Sequence, residues 1–159
     1  MPIQWPKLIL SLLLPQLAGL FGALFTRAGV GEWYPLLQKP SFTPPAWIFA
    51  PVWVTLYLLM GVSLYRVWVR GASSSTRRRA LLPFFLQLAL NALWSLFFFG
   101  LRQPLYGLID ISALWLLIAL TIFLFYRVDK PAAALLAPYF LWVSFASVLN
   151  FAIWRLNPY

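Results

Sequence analysis

Few side chains in this sequence are of the types that perform catalysis or bind metal ions. The chain has no His and no Cys, and only three of its 159 residues are Asp or Glu. Asp110 is the one carboxylate inside a long apolar run, whereas acid–base catalysis needs a second positioned group. Hydrolytic and metal-dependent chemistry are therefore excluded, and we predict no metal site. We expect Asp110 to cap its helix or to pair with Arg102 or Arg155.

Polar side chains recur at helical spacing inside two other apolar runs. Gln87, Asn91 and Ser95 are four residues apart and so share one helix face. The second face combines aromatic, small and amide side chains: Trp142, Ala146, Leu149, Asn150 and Ile153. A polar group in apolar surroundings needs a partner or a cavity, so both faces should point inward. Interhelical hydrogen bonds and contact with a ligand both remain open as interpretations of the two Asn side chains.

Aromatic residues make up 19% of the chain, and their positions divide them into two groups. Trp53 and Trp142 lie well inside apolar runs, where an indole N–H seeks a partner. For these two residues, ligand contact and helix packing explain the pattern equally well. Others flank the runs, as is typical of rings that anchor a protein at the membrane–water interface: Trp5, Trp33, Tyr34, Trp68 and Tyr159.

The elements that position these side chains must be helices that cross a membrane. The chain is 63% hydrophobic and 9% charged, whereas a soluble domain carries about 25% charged residues. Runs of about 20 apolar residues, enough for a helix to cross a bilayer, recur along it, and they lack the alternation of a transmembrane barrel. We predict an all-α integral membrane bundle of five transmembrane helices in one domain, residues 1–159. The helices are expected at 7–26, 46–69, 80–99, 105–126 and 132–153.

The basic residues are unevenly distributed between the two sides of such a bundle. Eight Lys or Arg residues fall on the side of the N-terminus and four on the other. Because basic residues concentrate on the cytoplasmic side, we predict a cell-membrane protein with a cytoplasmic N-terminus. The same bias accounts for the net charge of +9, so the lipid bilayer is a predicted partner and nucleic acid is not. The longest connection, Arg27–Pro45, is rich in Gly, Pro and aromatic residues, which predicts an ordered lid.

Four segments of the chain resemble the translocator protein family, whose members are also called tryptophan-rich sensory proteins or peripheral-type benzodiazepine receptors. They are WYPLLQKP at Trp33–Pro40, KPSFTPPAWIFAPVWVTLYLLMG at Lys39–Gly61, QLALNALWSLFFFG at Gln87–Gly100 and PYFLWVSFASVLNFAIWRLN at Pro138–Asn157. The segments follow the family's order and spacing, and the resemblance extends over essentially the whole chain.

The resemblance implies a five-helix bundle, a homodimer in the family, with a cavity beneath the loop that joins the first two helices. It implies a tetrapyrrole ligand, protoporphyrin or haem, or a related flat hydrophobic molecule, and no required cofactor. The ligand-binding residues carried over by motif are Ala23, Thr26, Phe49, Ala50, Trp53, Asn91, Trp94, Tyr106, Ile109, Ala113, Trp142, Ala146 and Leu149. Two positions depart from the animal members. Phe151 replaces the Tyr of a short sterol motif, which argues against sterol binding, and Tyr106 replaces a Trp.

Three functions are compatible with this resemblance. The favoured one is a receptor that binds porphyrins in a regulatory or sensory role. The alternatives are a transporter of porphyrin or other lipophilic molecules and a light- and oxygen-dependent porphyrin-degrading enzyme that uses Trp53 and Trp142. Met60 and Tyr57 are the nearest conceivable haem-iron ligands, and neither is a favourable one. We therefore predict recognition by aromatic stacking, with Arg27 or Lys39 of the lid meeting the propionates and metal-free porphyrin binding as well as haem.

Overall fold

The computed structural model describes residues 2–70 and 73–158, and this part of the chain contains helices, turns and loops. Five helices are long and apolar enough to cross a membrane, which confirms the predicted all-α bundle. The helices are α1 (Trp5–Glu32), α2 (Phe49–Val69), α3 (Ser74–Ser95), α4 (Pro104–Val128), α5 (Lys130–Leu135) and α6 (Ala137–Leu156). Tyr159, interpreted above as an interface anchor, lies outside the described residues.

The first helix is longer than the sequence indicated. It continues to Glu32, so the lid expected at Arg27–Pro45 begins only at Trp33. The physical reason is packing. A Cβ placed on Gly29 would lie 2.8 Å from the Cβ of Phe99, so this glycine permits a close helix contact and does not end the helix. A 3-10 turn at Tyr34–Leu36 follows.

The fifth span consists of two helices separated by a break. The short α5 ends at Leu135 and α6 begins at Ala137, with Pro138 in its first turn, where the missing backbone N–H costs least. Two polar contacts fasten the α5 end to α2. The Ser63 hydroxyl donates to the Ala132 carbonyl at 2.7 Å, and Arg66 Nε donates to the Asp129 carboxylate at 2.6 Å.

The helices form a ring in the order α2, α1, α3, α4, α6, and the ring is not closed evenly along its length. Glycines allow the tightest approach, between α1 and α2, where a Cβ on Gly61 would lie 2.8 Å from the backbone of Ser11 and Leu12. On the other flank α2 packs against α5, whereas α6 packs against α4 and diverges from α2. The backbones of α2 and α6 therefore separate toward the side of the bundle that carries the loop Trp33–Pro45.

Candidate ligand-binding site

Aromatic side chains fill the space where the backbones of α2 and α6 diverge. The ring centroids of Phe49 and Trp142 are 5.8 Å apart, and those of Trp53 and Tyr139 are 6.2 Å apart, each pair edge to face. Trp142 also lies 5.7 Å from Phe145 on α6. We call the cluster formed by these five residues the aromatic cleft. It offers ring faces and edges from two helices, a surface suited to a flat apolar molecule.

A buried chain of hydrogen bonds forms the floor of the aromatic cleft. The Tyr57 hydroxyl donates to Asn91 Oδ1 at 2.7 Å, and Asn91 Nδ2 donates to the Tyr139 hydroxyl at 3.0 Å. Tyr139 in turn donates to Gln87 Oε1 at 2.8 Å. Trp53 stacks on Tyr57, with centroids 5.4 Å apart and planes at 26°. The position of the Trp53 indole therefore depends on a polar network that joins α2, α3 and α6.

Trp142 differs from other indoles of the bundle in its hydrogen bonding. Trp94 Nε1 donates to Asn150 Oδ1 at 3.0 Å, and Trp115 Nε1 donates to Ser144 Oγ at 2.8 Å. Within residues 2–70 and 73–158, the buried Nε1 of Trp142 has no acceptor. Leaving a buried donor unpaired costs about 1–3 kcal/mol. The cleft thus combines apolar walls with a buried indole N–H that has no acceptor among the described residues.

The side chains of Asn91 and Asn150 serve helix packing. Asn91 joins Tyr57 to Tyr139, and Asn150 accepts from Trp94 while its Nδ2 donates to the Pro104 carbonyl at 2.8 Å. The interhelical hydrogen bonds suggested by the sequence are therefore confirmed. Asn91 and the Trp94 indole N–H were also implied as ligand contacts, but the structure commits their polar atoms to neighbouring helices.

Three residues implied as ligand contacts on α4 do not reach the aromatic cleft. Tyr106 is 51% exposed and Ile109 is 62% exposed, and Ala113 is exposed on the same side of the helix. The reason is the rotation of α4, which turns Gly107 and Leu114 toward the interior. The motif identified the positions, but only the packing of α4 determines which way they face.

The remaining implied residues are divided between the cleft and the rim of the bundle. On α6, Ala146 is half-buried one turn after Trp142, and Leu149 is buried one turn further. On α1 and α2, Ala23 and Ala50 are exposed. The Thr26 hydroxyl donates to the Gly22 carbonyl of its own helix at 3.1 Å. Ala146 thus lies on the same helix face as Trp142, one turn further along α6.

The loop Trp33–Pro45 is ordered, as predicted, and lies over this side of the bundle. Trp33 packs against Phe98 with ring centroids 5.6 Å apart, and Tyr34 packs against Phe99 at 5.7 Å. These two rings were interpreted as interface anchors, but they face inward because the π-helical turn ending α3 presents Phe98 and Phe99 to them. Burial raises the pKa of Tyr34.

Further contacts fasten this loop to α6. Asn157 Oδ1 accepts from the Gln38 backbone N–H at 3.0 Å, and Asn157 Nδ2 donates to the Gln38 carbonyl at 2.9 Å. Phe42 reaches Phe145 of the aromatic cleft, with centroids 6.4 Å apart. The loop is therefore attached to the helix that carries Trp142.

Lys39, one of the two cations expected to contact ligand propionates, donates hydrogen bonds to carbonyls of its own loop. Lys39 Nζ donates to the carbonyls of Tyr34 at 2.9 Å and Leu37 at 3.1 Å, and it lies 4.9 Å from the centroid of the Tyr34 ring. In this structure the ammonium satisfies carbonyls that the turn presents, and a contact between Lys39 and a propionate stays a prediction. Arg27, now within α1, is exposed.

The expectation of an ion pair or cap for Asp110 is also wrong. Asp110 is 6% exposed, and neither carboxyl oxygen has a partner among the described residues. Arg102 instead contacts Glu32 at 3.1 Å, and Arg155 is exposed at the end of α6. Helix rotation explains the error, because Asp110 lies on the buried face of α4 while both arginines are at the rim.

Nothing in the described residues is arranged to hold a metal ion. No group of three His, Cys, Asp or Glu side chains occurs there. Met60 is fully buried, and the Tyr57 hydroxyl is bonded to Asn91, so neither faces a ligand as a haem-iron donor would.

The fold and this site define a multi-pass α-helical membrane protein with an aromatic cleft beside an ordered loop. The TspO/MBR family model matches residues 11–155, and the chain belongs to that family. It is 48% identical to the tryptophan-rich protein TspO of Archaeoglobus fulgidus over 95% of this chain and 97% of that protein. It is 41% identical to the translocator protein of Bos taurus over 96% and 91%, and 38% identical to the tryptophan-rich sensory protein of Cereibacter sphaeroides over 79% and 77%. These relatives support a sensory or binding role in the membrane.

Proposed function

We propose that this protein binds a tetrapyrrole, or a related flat hydrophobic molecule, in the aromatic cleft as part of a regulatory or sensory role. The observation that carries the proposal is the meeting of ring walls from α2 and α6 with the unpaired indole N–H of Trp142. Stacked or edge-to-face ring pairs contribute about 0.5–1.5 kcal/mol each beyond their buried area, so several rings favour a large aromatic ligand.

The chemistry of the cleft favours recognition of the macrocycle over recognition of a metal. Met60 and Tyr57 are unavailable to iron, so binding should depend on the rings, on the Trp142 donor and on the propionates. Arg27 is exposed near the C-terminal end of α1, and we propose that its guanidinium binds a propionate. Metal-free protoporphyrin should therefore bind about as tightly as haem. A requirement for iron would contradict this mode of binding.

Two matched substitutions of alanine by phenylalanine test the location of the site. Ala146→Phe should fill the half-buried space beside Trp142 and abolish quenching of Trp fluorescence by protoporphyrin. Ala113→Phe makes the same change on the exposed side of α4 and should leave the titration near wild type. Loss of binding in Ala113→Phe alone would place the ligand on α4 and overturn the proposal. Haem and a sterol are titrated in parallel, and the sterol should not quench.

Light-dependent porphyrin degradation is a second candidate, favoured by the presence of Trp53 and Trp142 in one cleft. The stacking of Trp53 on Tyr57 places another oxidisable ring beside the site. Illumination of the complex in air should then give a product that is lost in Trp53→Phe or Trp142→Phe. Unchanged product in both variants would eliminate this role. Protein-dependent uptake of porphyrin into vesicles would instead indicate transport.

We also propose a homodimer in the cell membrane with the N-terminus in the cytoplasm, on the distribution of basic residues and the family resemblance. The chain has no Cys, so single cysteines can be introduced without background. Gln38→Cys should react with a membrane-impermeant maleimide in intact cells, and Ser75→Cys only after lysis. The reverse labelling pattern would show that the orientation is inverted.

Cross-linking in native membranes tests the homodimer and should give a dimer band. A monomer band alone at every cross-linker dose would contradict the dimer.

A further inference from the structure

Most basic side chains at the N-terminal side of the bundle have a partner within the protein. Such partners are a carboxylate or an aromatic ring: Arg66 and Arg70 with Asp129, Lys7 with Trp68, Arg127 with Phe123, and Lys130 with Tyr126. Arg77, Arg78 and Arg79 differ. Among the described residues, none of the three has an ion pair or a ring contact.

The chain has no carboxylate left to neutralise these three arginines. It contains three acidic residues in all. Glu32 contacts Arg102 at the opposite side, Asp129 is shared by two arginines of α2, and Asp110 is buried inside α4. The arginines also lie near the start of α3, where the helix dipole disfavours positive charge. A counter-anion must therefore come from outside the protein.

The surface around Arg78 and Arg79 has the form of a site for an amphipathic anion. A shallow, open depression of about 550 Å³ on the surface is lined by Ser75, Arg78, Arg79 and Leu82. One turn further along α3, the exposed side chains are Phe85 and Leu86. The same helix face thus changes from hydroxyl and guanidinium groups to apolar groups within three turns. Phosphate followed by an acyl chain is the chemistry that matches this order.

We propose that the depression at Ser75, Arg78 and Arg79 binds the phosphate headgroup of an anionic phospholipid, with an acyl chain lying along Leu82, Phe85 and Leu86. Guanidinium groups bind phosphate through paired N–H donors, and basic pockets at the cytoplasmic side of helices bind anionic headgroups. This site is separate from the aromatic cleft and does not depend on the function proposed for it.

The experiment measures lipid retained by the purified protein. Native mass spectrometry of the full chain, equilibrated with equal phosphatidylglycerol and phosphatidylcholine, should show preferential retention of phosphatidylglycerol. Each arginine near an anionic headgroup strengthens binding about fivefold. The double variant Arg78→Gln/Arg79→Gln should therefore lower the retention of phosphatidylglycerol roughly 25-fold. The control, Arg127→Gln/Lys130→Gln, removes the same charge from the same side, but its cations already have ring partners. It should remain near wild type.

The outcomes distinguish a specific lipid-binding site from nonspecific attraction of anionic lipid by the surface charge. Equal losses in the two double variants, or equal retention of the two lipids by wild type, would overturn the proposal. Displacement of the lipid by inorganic phosphate would also overturn it, because the acyl chain would then contribute nothing. If the arginine variant does not fold, Leu82→Glu adds a repulsive charge at an exposed lining position. Full retention of phosphatidylglycerol by Leu82→Glu would contradict the site.

Discussion

The Tyr57 hydroxyl donates to Asn91 Oδ1 at 2.7 Å, and this bond connects α2 to α3 beneath the aromatic cleft. Asn91 continues the connection to Tyr139 of α6, and Trp53 rests between the two tyrosine rings. A single amide on α3 thus determines where two rings from other helices stand. The shape of the cleft therefore depends on a buried residue of its floor.

Asn91→Leu should destabilise the bundle and weaken ligand binding together. The substitution removes both interhelical bonds and leaves the Tyr57 hydroxyl buried without its acceptor, at a cost of about 1–3 kcal/mol. Thermal unfolding in detergent and protoporphyrin titration measure the two effects. Thr121→Val is the control, because that hydroxyl bonds only to the Leu117 carbonyl of its own helix. Wild-type stability and affinity in Asn91→Leu would show that the network does not position Trp53.

Asn157→Ala should loosen the loop Trp33–Pro45. It removes both bonds to the Gln38 backbone, so hydrogen exchange at the Gln38 amide should accelerate and the ligand should dissociate faster. Arg102→Gln breaks the exposed contact with Glu32 on the same side and should change little, since such pairs contribute about 0–1 kcal/mol. Equal exchange in both variants would mean that the loop is held by its aromatic contacts alone.

Gly61→Ala should separate α1 from α2. Its Cβ would lie 2.8 Å from the backbone of Ser11 and Leu12, which cannot rotate aside, and overpacking of this kind costs about 1–3 kcal/mol. Gly31→Ala is matched to it, because a Cβ there has no neighbour within 4 Å. That variant should be neutral or stabilising, as alanine is the better helix former. Gly61→Ala should unfold at a lower temperature than Gly31→Ala. The opposite order would show that α1 and α2 do not make this contact.

Asp110→Leu should not lower stability. Both carboxyl oxygens are buried without a partner among the described residues, and replacing an unpaired buried polar group with an apolar one removes a desolvation cost. The expected result is an unfolding temperature equal to or above wild type. A clear loss of stability would reveal a polar partner of Asp110 in the membrane.

The five spans and the inward faces of α3 and α6 could be predicted from the amino-acid sequence alone. Hydropathy and the 3.6-residue period are local properties, so the positions of Gln87, Asn91 and Asn150 already indicated buried amides. Position within the apolar runs singled out Trp53 and Trp142, and the resemblance assigned them to a ligand site. The orientation indicated by the basic residues stays a prediction.

Which side chains contact one another depends on how the helices pack. The tertiary structure left Asp110 without a partner, turned the Lys39 ammonium onto loop carbonyls and placed Tyr106 on the outer side of α4. These outcomes depend on helix rotation and separation, which are set by contacts distant in sequence, such as Gly29 against Phe99 and Gly61 against Ser11. No local pattern encodes such contacts, and the aromatic cleft exists because α6 follows α4 and departs from α2.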